Sequence, residues 1–246
     1  DYQDFFMNPS TKISAVIITY NEEAHIAECL ASLSEVVSEI VVVDSYSTDA
    51  TKAICAQYSC RFIEHEWQGF SVTKNWANDQ VFHEWIVSID ADEVLSPALI
   101  LSIQEAQNNG LMDGFAYQFN RLNNYCGIWL KVAGWYPDTK VRLFAKGSAQ
   151  WQGDIHEKLE HTQKVNVKHL KGDLLHYSIK DKEDHIARVK KYCRLEKPYP
   201  NQLIALIVAL KTFIKSYLIK GGFRAGKLGF QVSYISAQAK WWRGRV

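Results

Sequence analysis

Hydrophobic and polar positions change period along this chain, and the changes mark out its elements. Ile13 to Thr19 is a β-branched run of strand length, and Glu22 to Leu33 then places Ile26, Leu30 and Leu33 at helical spacing. The alternation continues with a strand at Ile40 to Val43 ending on Asp44, a helix from Asp49 to Tyr58 and a strand at Arg61 to His65. A helix at Val72 to Val81 and a strand at Glu84 to Ile89 complete the series. Ser47, Thr48 and Asp49 offer N-cap side chains, and Pro97 opens a further helix. Strands and helices alternating at this pitch predict an α/β fold with a mostly parallel sheet covered by helices on both faces.

After Gly114 the rhythm changes. Phe115, Tyr117 and Phe119 alternate, and Val141 to Phe144 and the segment around Ile155 read as short strands. A helix from Asp181 to Lys197 is closed by Pro198 and Pro200. The expected division is a catalytic domain over residues 1–180 and a helical appendage over 181–246.

Within that appendage, at about 100° per residue, Leu203, Leu206, Ile207, Leu210, Phe213, Ile214, Tyr217 and Leu218 share an arc of about 140°. Lys211, Lys215 and Lys220 take the other side. The apolar run before Lys211 is too short to cross a bilayer, so a transmembrane helix is not expected. The helix either docks on its own domain or lies in a membrane interface. Phe223, Arg224, Lys227, Phe230, Trp241, Trp242 and Arg243 favour the interface, since Trp and Arg suit a headgroup layer.

Composition and charge sharpen this picture at four points. At 246 residues and 47% hydrophobic content the chain buries a full core, which excludes a disordered protein. Its five cysteines are odd in number and form no C-x-x-C pair, so reduced thiols and a cytoplasmic location are expected. Residues 1–10 hold neither a basic flank nor a useful apolar stretch, and no signal peptide is expected in them. The net charge of +1 hides an asymmetry: residues 197–246 hold nine basic side chains and no Asp or Glu, leaving the rest at −8. A basic tail of this kind seeks phosphate on nucleic acid or lipid.

Candidate chemistry begins where the strand Trp85 to Ile89 runs into Asp90-Ala91-Asp92. The triplet alone identifies nothing, because 13 aspartates in 246 residues give about 0.7 such triplets by chance. Its place is informative. Carboxylates at the carboxyl rim of an open α/β sheet lie where ligands bind, and their hard oxygens suit Mg²⁺ or Mn²⁺ bridged to a diphosphate. Two other strand ends carry polar groups to the same rim: Thr19-Tyr20-Asn21-Glu22-Glu23 and Asp44-Ser45-Tyr46-Ser47-Thr48-Asp49.

At these residues the chain resembles the inverting glycosyltransferases of family 2, which have the GT-A fold and use nucleotide sugars. The likeness extends through Lys74-Asn75, Gly134-Trp135-Tyr136-Pro137, Arg142-Leu143-Phe144, Ile155-His156-Glu157 and Leu175-His176-Tyr177. This longer set resembles the lipopolysaccharide-core glucosyltransferase branch and covers most of residues 13 to 225.

The resemblance implies a UDP-sugar donor, Mn²⁺ or Mg²⁺, and a lipid-linked oligosaccharide acceptor at the inner face of the cytoplasmic membrane. Thr19 and Tyr20 would line the uridine pocket, with Glu22 near the ribose. Asp44 would accept from the uracil ring, and Lys74 would lie near the phosphates. Asp90 and Ala91 would hold the sugar or ribose side, and Asp92 the metal, with His176 completing its shell. Glu157 is the implied base, Asp154 the runner-up and Asp138 a weaker competitor. Trp135, Tyr136 and Arg142 fall to the acceptor.

Plainer readings stand beside these. Glu22 and Glu23 also favour a helix N-terminus, Asp44 can cap a turn, and Lys74 can be a solvated helix charge. His176 can be a packed histidine, and Trp135 and Tyr136 can fill core. A sugar nucleotidyltransferase would need a Gly-rich basic loop after the first strand, where this chain has Tyr20-Asn21-Glu22-Glu23. The acidic body opposes a nucleic-acid binder built on residues 220–245. No nucleic-acid partner is expected.

Overall fold

The structure, a computed structural model, describes residues 11–153 and 157–243. In chain order its elements begin with β1 (Ile13–Thr19), α1 (Ile26–Ser34), β2 (Glu39–Asp44), α2 (Thr51–Cys55) and β3 (Arg61–Glu64). Next come α3 (Phe70–Asp79), β4 (Trp85–Asp90), β5 (Glu93–Leu95), α4 (Pro97–Asn108) and β6 (Phe115–Tyr125). They continue with β7 (Ile128–Trp129), β8 (Asp138–Ala145), β9 (Ala149–Gln152), β10 (Lys158–His161) and β11 (Asn166–Ile179). The chain then forms α5 (Lys182–Leu195), α6 (Gln202–Ile214), a π-helical segment Lys215–Ile219, a 3-10 turn Gly222–Ala225 and α7 (Gly226–Trp242).

The large sheet has the strand order β3-β2-β1-β4-β8-β6-β11-β5. Its first four strands are parallel, and β8 joins β4 antiparallel. This is the expected α/β architecture, a mostly parallel sheet flanked by helices in the GT-A manner. Every residue of β1 is buried, because a central parallel strand is covered on both faces. Its side chains divide accordingly: Ile13, Ala15 and Ile17 pack in one cluster with Ile26, Leu30 and Leu33 of α1, while Val16 and Ile18 pack in another with Ala77 of α3.

The strand alternation from residue 13 to 90 follows the hydrophobic pattern closely. Two long strands exceed it. β6 runs on to Tyr125, and β11 spans 14 residues through Leu175-His176-Tyr177, whose mixed polarity hides a strand. Gly172 in β11 has a φ of 96°, and a Cβ there would stand 2.3 Å from the Leu99 backbone nitrogen. That close approach seats β11 on the start of α4, where Ser96 caps the helix and its hydroxyl also accepts from Asp173 N–H at 3.0 Å. The strand expected around Ile155 lies outside the described residues, as does Asp154.

The chain forms two compact units, residues 1–120 with 139–175 and residues 121–138 with 176–246. The second unit takes in residues 121–138 as well as the C-terminal segment. Its core joins Tyr125, Leu130, Ala133, Ile179 and Val232, with Trp135 packed against them. Gln231 Nε2 donates to Tyr125 Oη at 3.0 Å, and Tyr125 Oη lies 3.0 Å from His185 Nδ1. Burial favours the neutral form of this imidazole.

The helix expected to show one amphipathic arc is apolar further than its sequence run suggested. Gln202–Ile219 forms 18 residues with a mean hydropathy of 1.6, the one segment among the described residues long and apolar enough to cross a membrane. Length and composition alone say no more than that.

Candidate active site

Strand register brings the rim residues together. β1 pairs with β2 so that Thr19 lies beside Asp44, and with β4 so that Ile18 lies beside Asp90. Neighbouring strands run about 4.8 Å apart, so Thr19, Asp44 and Asp90 occupy two adjacent rows of one carboxyl rim. All belong to the first unit.

The loops after β1 and β2 are laced to each other. Asn21 N–H donates to Ser47 Oγ, and Thr48 N–H returns a bond to Asn21 Oδ1, both at 2.8 Å. Glu22 N–H reaches Thr51 Oγ1 at 2.9 Å, and Glu23 Oε2 accepts from Ala50 N–H at 2.9 Å. Asn21 holds a φ of 55°, a left-handed conformation that asparagine tolerates. Asp44 is buried and accepts from both the N–H and the hydroxyl of Ser47, so it caps its own turn. Thr19 Oγ1 is buried with no hydrogen-bond partner. A buried hydroxyl is costly until a water or a ligand completes it.

At the end of β4 the charges form an alternating series. Lys74 Nζ stands 2.7 Å from Asp90 Oδ1 and 3.0 Å from Glu157 Oε1. Arg142 Nη2 stands 3.0 Å from Asp90 Oδ2 and 2.8 Å from Glu93 Oε1. Both cations are almost wholly buried, and both lie over the Trp151 ring, Lys74 Nζ at 4.6 Å and Arg142 Cζ at 5.5 Å from its centroid. Glu93 is fully buried and also accepts Asp90 N–H at 2.9 Å, which closes the Asp90-Ala91-Asp92-Glu93 turn. Burial works against the Arg142 charge, but the Glu93 and Asp90 carboxylates outweigh it and hold the guanidinium pKa above its ordinary value. Burial pushes the Cys29 thiol up, and Glu93, Asp92 and Asp90 push it further.

The glycosyl transferase family 2 model matches residues 14–161, the stretch that carries this rim. An uncharacterised glycosyltransferase of Rickettsia typhi is 30% identical over 250 residues, covering 94% of this chain and 85% of that protein. The chain belongs to glycosyl transferase family 2. It is also 29% identical to the lipopolysaccharide core biosynthesis glycosyltransferase LpsC of Rhizobium meliloti, over 91% of this chain and 87% of that one. Among solved structures it is similar to residues 1–349 of S. aureus TarS, with 17% identity, a TM-score of 0.47, and coverage of 95% of this chain and 81% of that one.

In this glycosyltransferase several of the expected site residues are paired with one another. Arg142, expected at the acceptor, is enclosed between Asp90 and Glu93, where a substrate has little surface to touch. Lys74, expected at the phosphates, is enclosed between Asp90 and Glu157. Both oxygens of Asp90 are thereby engaged, and Asp92, two residues on, is half-buried. Ala91 is buried between them, and Tyr20 is 57% exposed at the rim. Glu157 stands at the outer end of the charge series.

Four expected residues belong to the second unit. Trp135 packs edge-on against Tyr125 and His185, and Tyr136 lies under Lys131 Nζ at 5.5 Å. These are the contacts of core and surface aromatics. His176 Nδ1 stands 2.6 Å from Asn123 Oδ1. Asp138, the weaker base candidate, is ion-paired with Arg121 at 2.8 Å.

Among the described residues no three His, Cys, Asp or Glu side chains converge to hold an ion. Mg²⁺ and Mn²⁺ in phosphate sites are held by one or two carboxylates, substrate oxygens and water, and the Asp92 carboxylate fits that donor set. Sequence reasoning missed Glu93 and Trp151. Glu93 directly follows the acidic triplet and was the one visible signal, whereas nothing local marked Trp151.

Proposed function

We propose that this glycosyltransferase moves a hexose, glucose, from a UDP-sugar to a hydroxyl of a lipid-linked glycan such as lipopolysaccharide core, with inversion at the anomeric carbon. The observation that supports it most is the shared rim of Thr19, Asp44 and Asp90, with Asp92 at its edge. The likeness to LpsC over most of both chains supports the acceptor class.

The buried Thr19 hydroxyl and the Asp44 carboxylate offer polar partners for a nucleoside. Asp90, held between two cations, presents a rigid backbone turn to the sugar. A divalent ion on Asp92 would neutralise charge on the leaving diphosphate. Glu157 takes the proton from the acceptor hydroxyl as its oxygen bonds to the anomeric carbon. The bond from that carbon to the diphosphate oxygen breaks, and its electron pair leaves with UDP. Lys74 holds the Glu157 carboxylate in place for this step.

The test is UDP release from UDP-glucose by the full chain, with Mn²⁺ or Mg²⁺, and with or without a core lipid acceptor. Release that depends on both ion and acceptor is expected. Turnover that persists after chelation, or that ignores the acceptor, would overturn the reading.

A further inference from the structure

Helix α6 is packed inside out for a docked helix. Its buried positions are Ala205 and Ala209, continued by Ser216, which at about 100° per residue form one stripe. Leu203, Leu206, Leu210, Ile214 and Leu218 centre on the opposite side and are between 42% and 65% exposed. The small-residue stripe is seated at backbone distance. Ser216 Oγ lies 2.8 Å from Ser233 Oγ of α7 and donates to Ala133 O at 3.0 Å. A Cβ on Gly229 of α7 would fall 1.7 Å from Gly222 O. This fit holds α6 in rotation, so the leucines cannot turn inward.

A contiguous apolar face of this kind marks an interaction surface, and the surrounding charge identifies its partner. Lys211, Lys215, Lys220, Arg224 and Lys227 are all exposed beside it, and no Asp or Glu occurs after Glu196. Two copies of the chain meeting on this face would bring like charges together. An anionic headgroup layer meets both the apolar face and the lysines. Phe223, Phe230 and Tyr234, each about half exposed, add the aromatic character of a membrane interface.

We propose that α6, with its π-helical extension and the adjoining end of α7, lies in the headgroup plane of an anionic membrane with its leucine face toward the acyl chains. Lying flat is favoured over crossing. Lys211 is near the middle of the 18-residue apolar segment and would stand at the bilayer centre in a span, the costliest depth for a charge. The proposal shares the lipid-linked acceptor with the function above but does not depend on it.

Flotation of the full chain with phosphatidylcholine vesicles, with or without phosphatidylglycerol, tests this directly. Binding to the anionic vesicles alone, weakened by salt and released by alkaline carbonate, is expected. Leu206→Gln with Leu210→Gln should weaken binding about tenfold or more, with unchanged circular dichroism and unchanged UDP release from UDP-glucose. Lys211→Glu with Lys215→Glu should abolish the preference for anionic lipid. Absence of flotation, undiminished binding by the leucine variant, or resistance to carbonate would overturn the proposal. So would a dimer that the leucine variant converts to monomer without any vesicle binding. A failed glycosyltransferase reading would instead appear in the UDP-release measurement and leave flotation intact.

Discussion

Replacing Arg142 with methionine should cost more stability than any surface change, and the reason lies in what it leaves behind. The substitution removes the cation 2.8 Å from Glu93, whose carboxylate is fully buried, and 3.0 Å from Asp90. Removing one partner of a buried pair typically costs about 3–5 kcal/mol, because the other charge is stranded in a poor solvent. Glu93 keeps its hydrogen bond from Asp90 N–H, and Asp90 keeps Lys74, so the lower end, about 3 kcal/mol, is expected. Glu93→Gln in the Arg142→Met background removes the stranded charge and retains an acceptor for Asp90 N–H. That double variant should recover about 2 kcal/mol of the loss, a coupling well above the scatter between independent sites. Urea unfolding followed by far-ultraviolet circular dichroism measures both, provided the slope with denaturant is unchanged. A cost below about 1 kcal/mol for Arg142→Met, or strictly additive effects of the two substitutions, would refute the buried clamp.

The other expectations concern chemistry and pH. Glu157→Gln should lower turnover by about 10²- to 10⁴-fold while donor affinity by calorimetry changes little; undiminished turnover dismisses Glu157 as the base. Asp92→Ala should abolish the Mn²⁺ dependence of UDP binding, and an equal gain in affinity from Mn²⁺ in both proteins would remove Asp92 from the metal site. Burial holds the His185 pKa down at about 4, with Asp184 opposing and Arg188 assisting. An unfolded histidine titrates near 6.5, so the unfolded chain binds the extra proton first. This contribution to stability is complete above about pH 6.5 and is lost as pH falls toward about 4. His185→Gln should flatten the fall in urea midpoint over that window, and an unchanged slope would show that other groups set it.

Much of the fold was legible because its signals are local. The runs at Ile13 to Thr19 and Trp85 to Ile89 are apolar throughout, as strands covered on both faces must be, and the polar residues that end them fall on one rim through parallel pairing alone. Thr19, Asp44 and Asp90 follow from that rule. Lys74 and Arg142 do not. Arg142 meets Asp90 and Glu93 across 52 and 49 residues, and Lys74 meets Glu157 across 83. No spacing encodes such pairs. A charged side chain reads as solvent-facing until the fold supplies a buried partner at a cost it can offset.

Helix α6 shows the same limit from the apolar side. Its periodicity establishes that Leu203, Leu206 and Leu210 share a face, but not what that face meets. Close approach of backbones at Gly222 and Gly229, together with Ala205, Ala209 and Ser216, turned the small residues inward and the leucines out. Hydrophobic pattern specifies which side chains act together, because helix and strand geometry is local. Which surface each set touches depends on the shapes of distant segments packed against it, and those shapes exist only once the chain has folded.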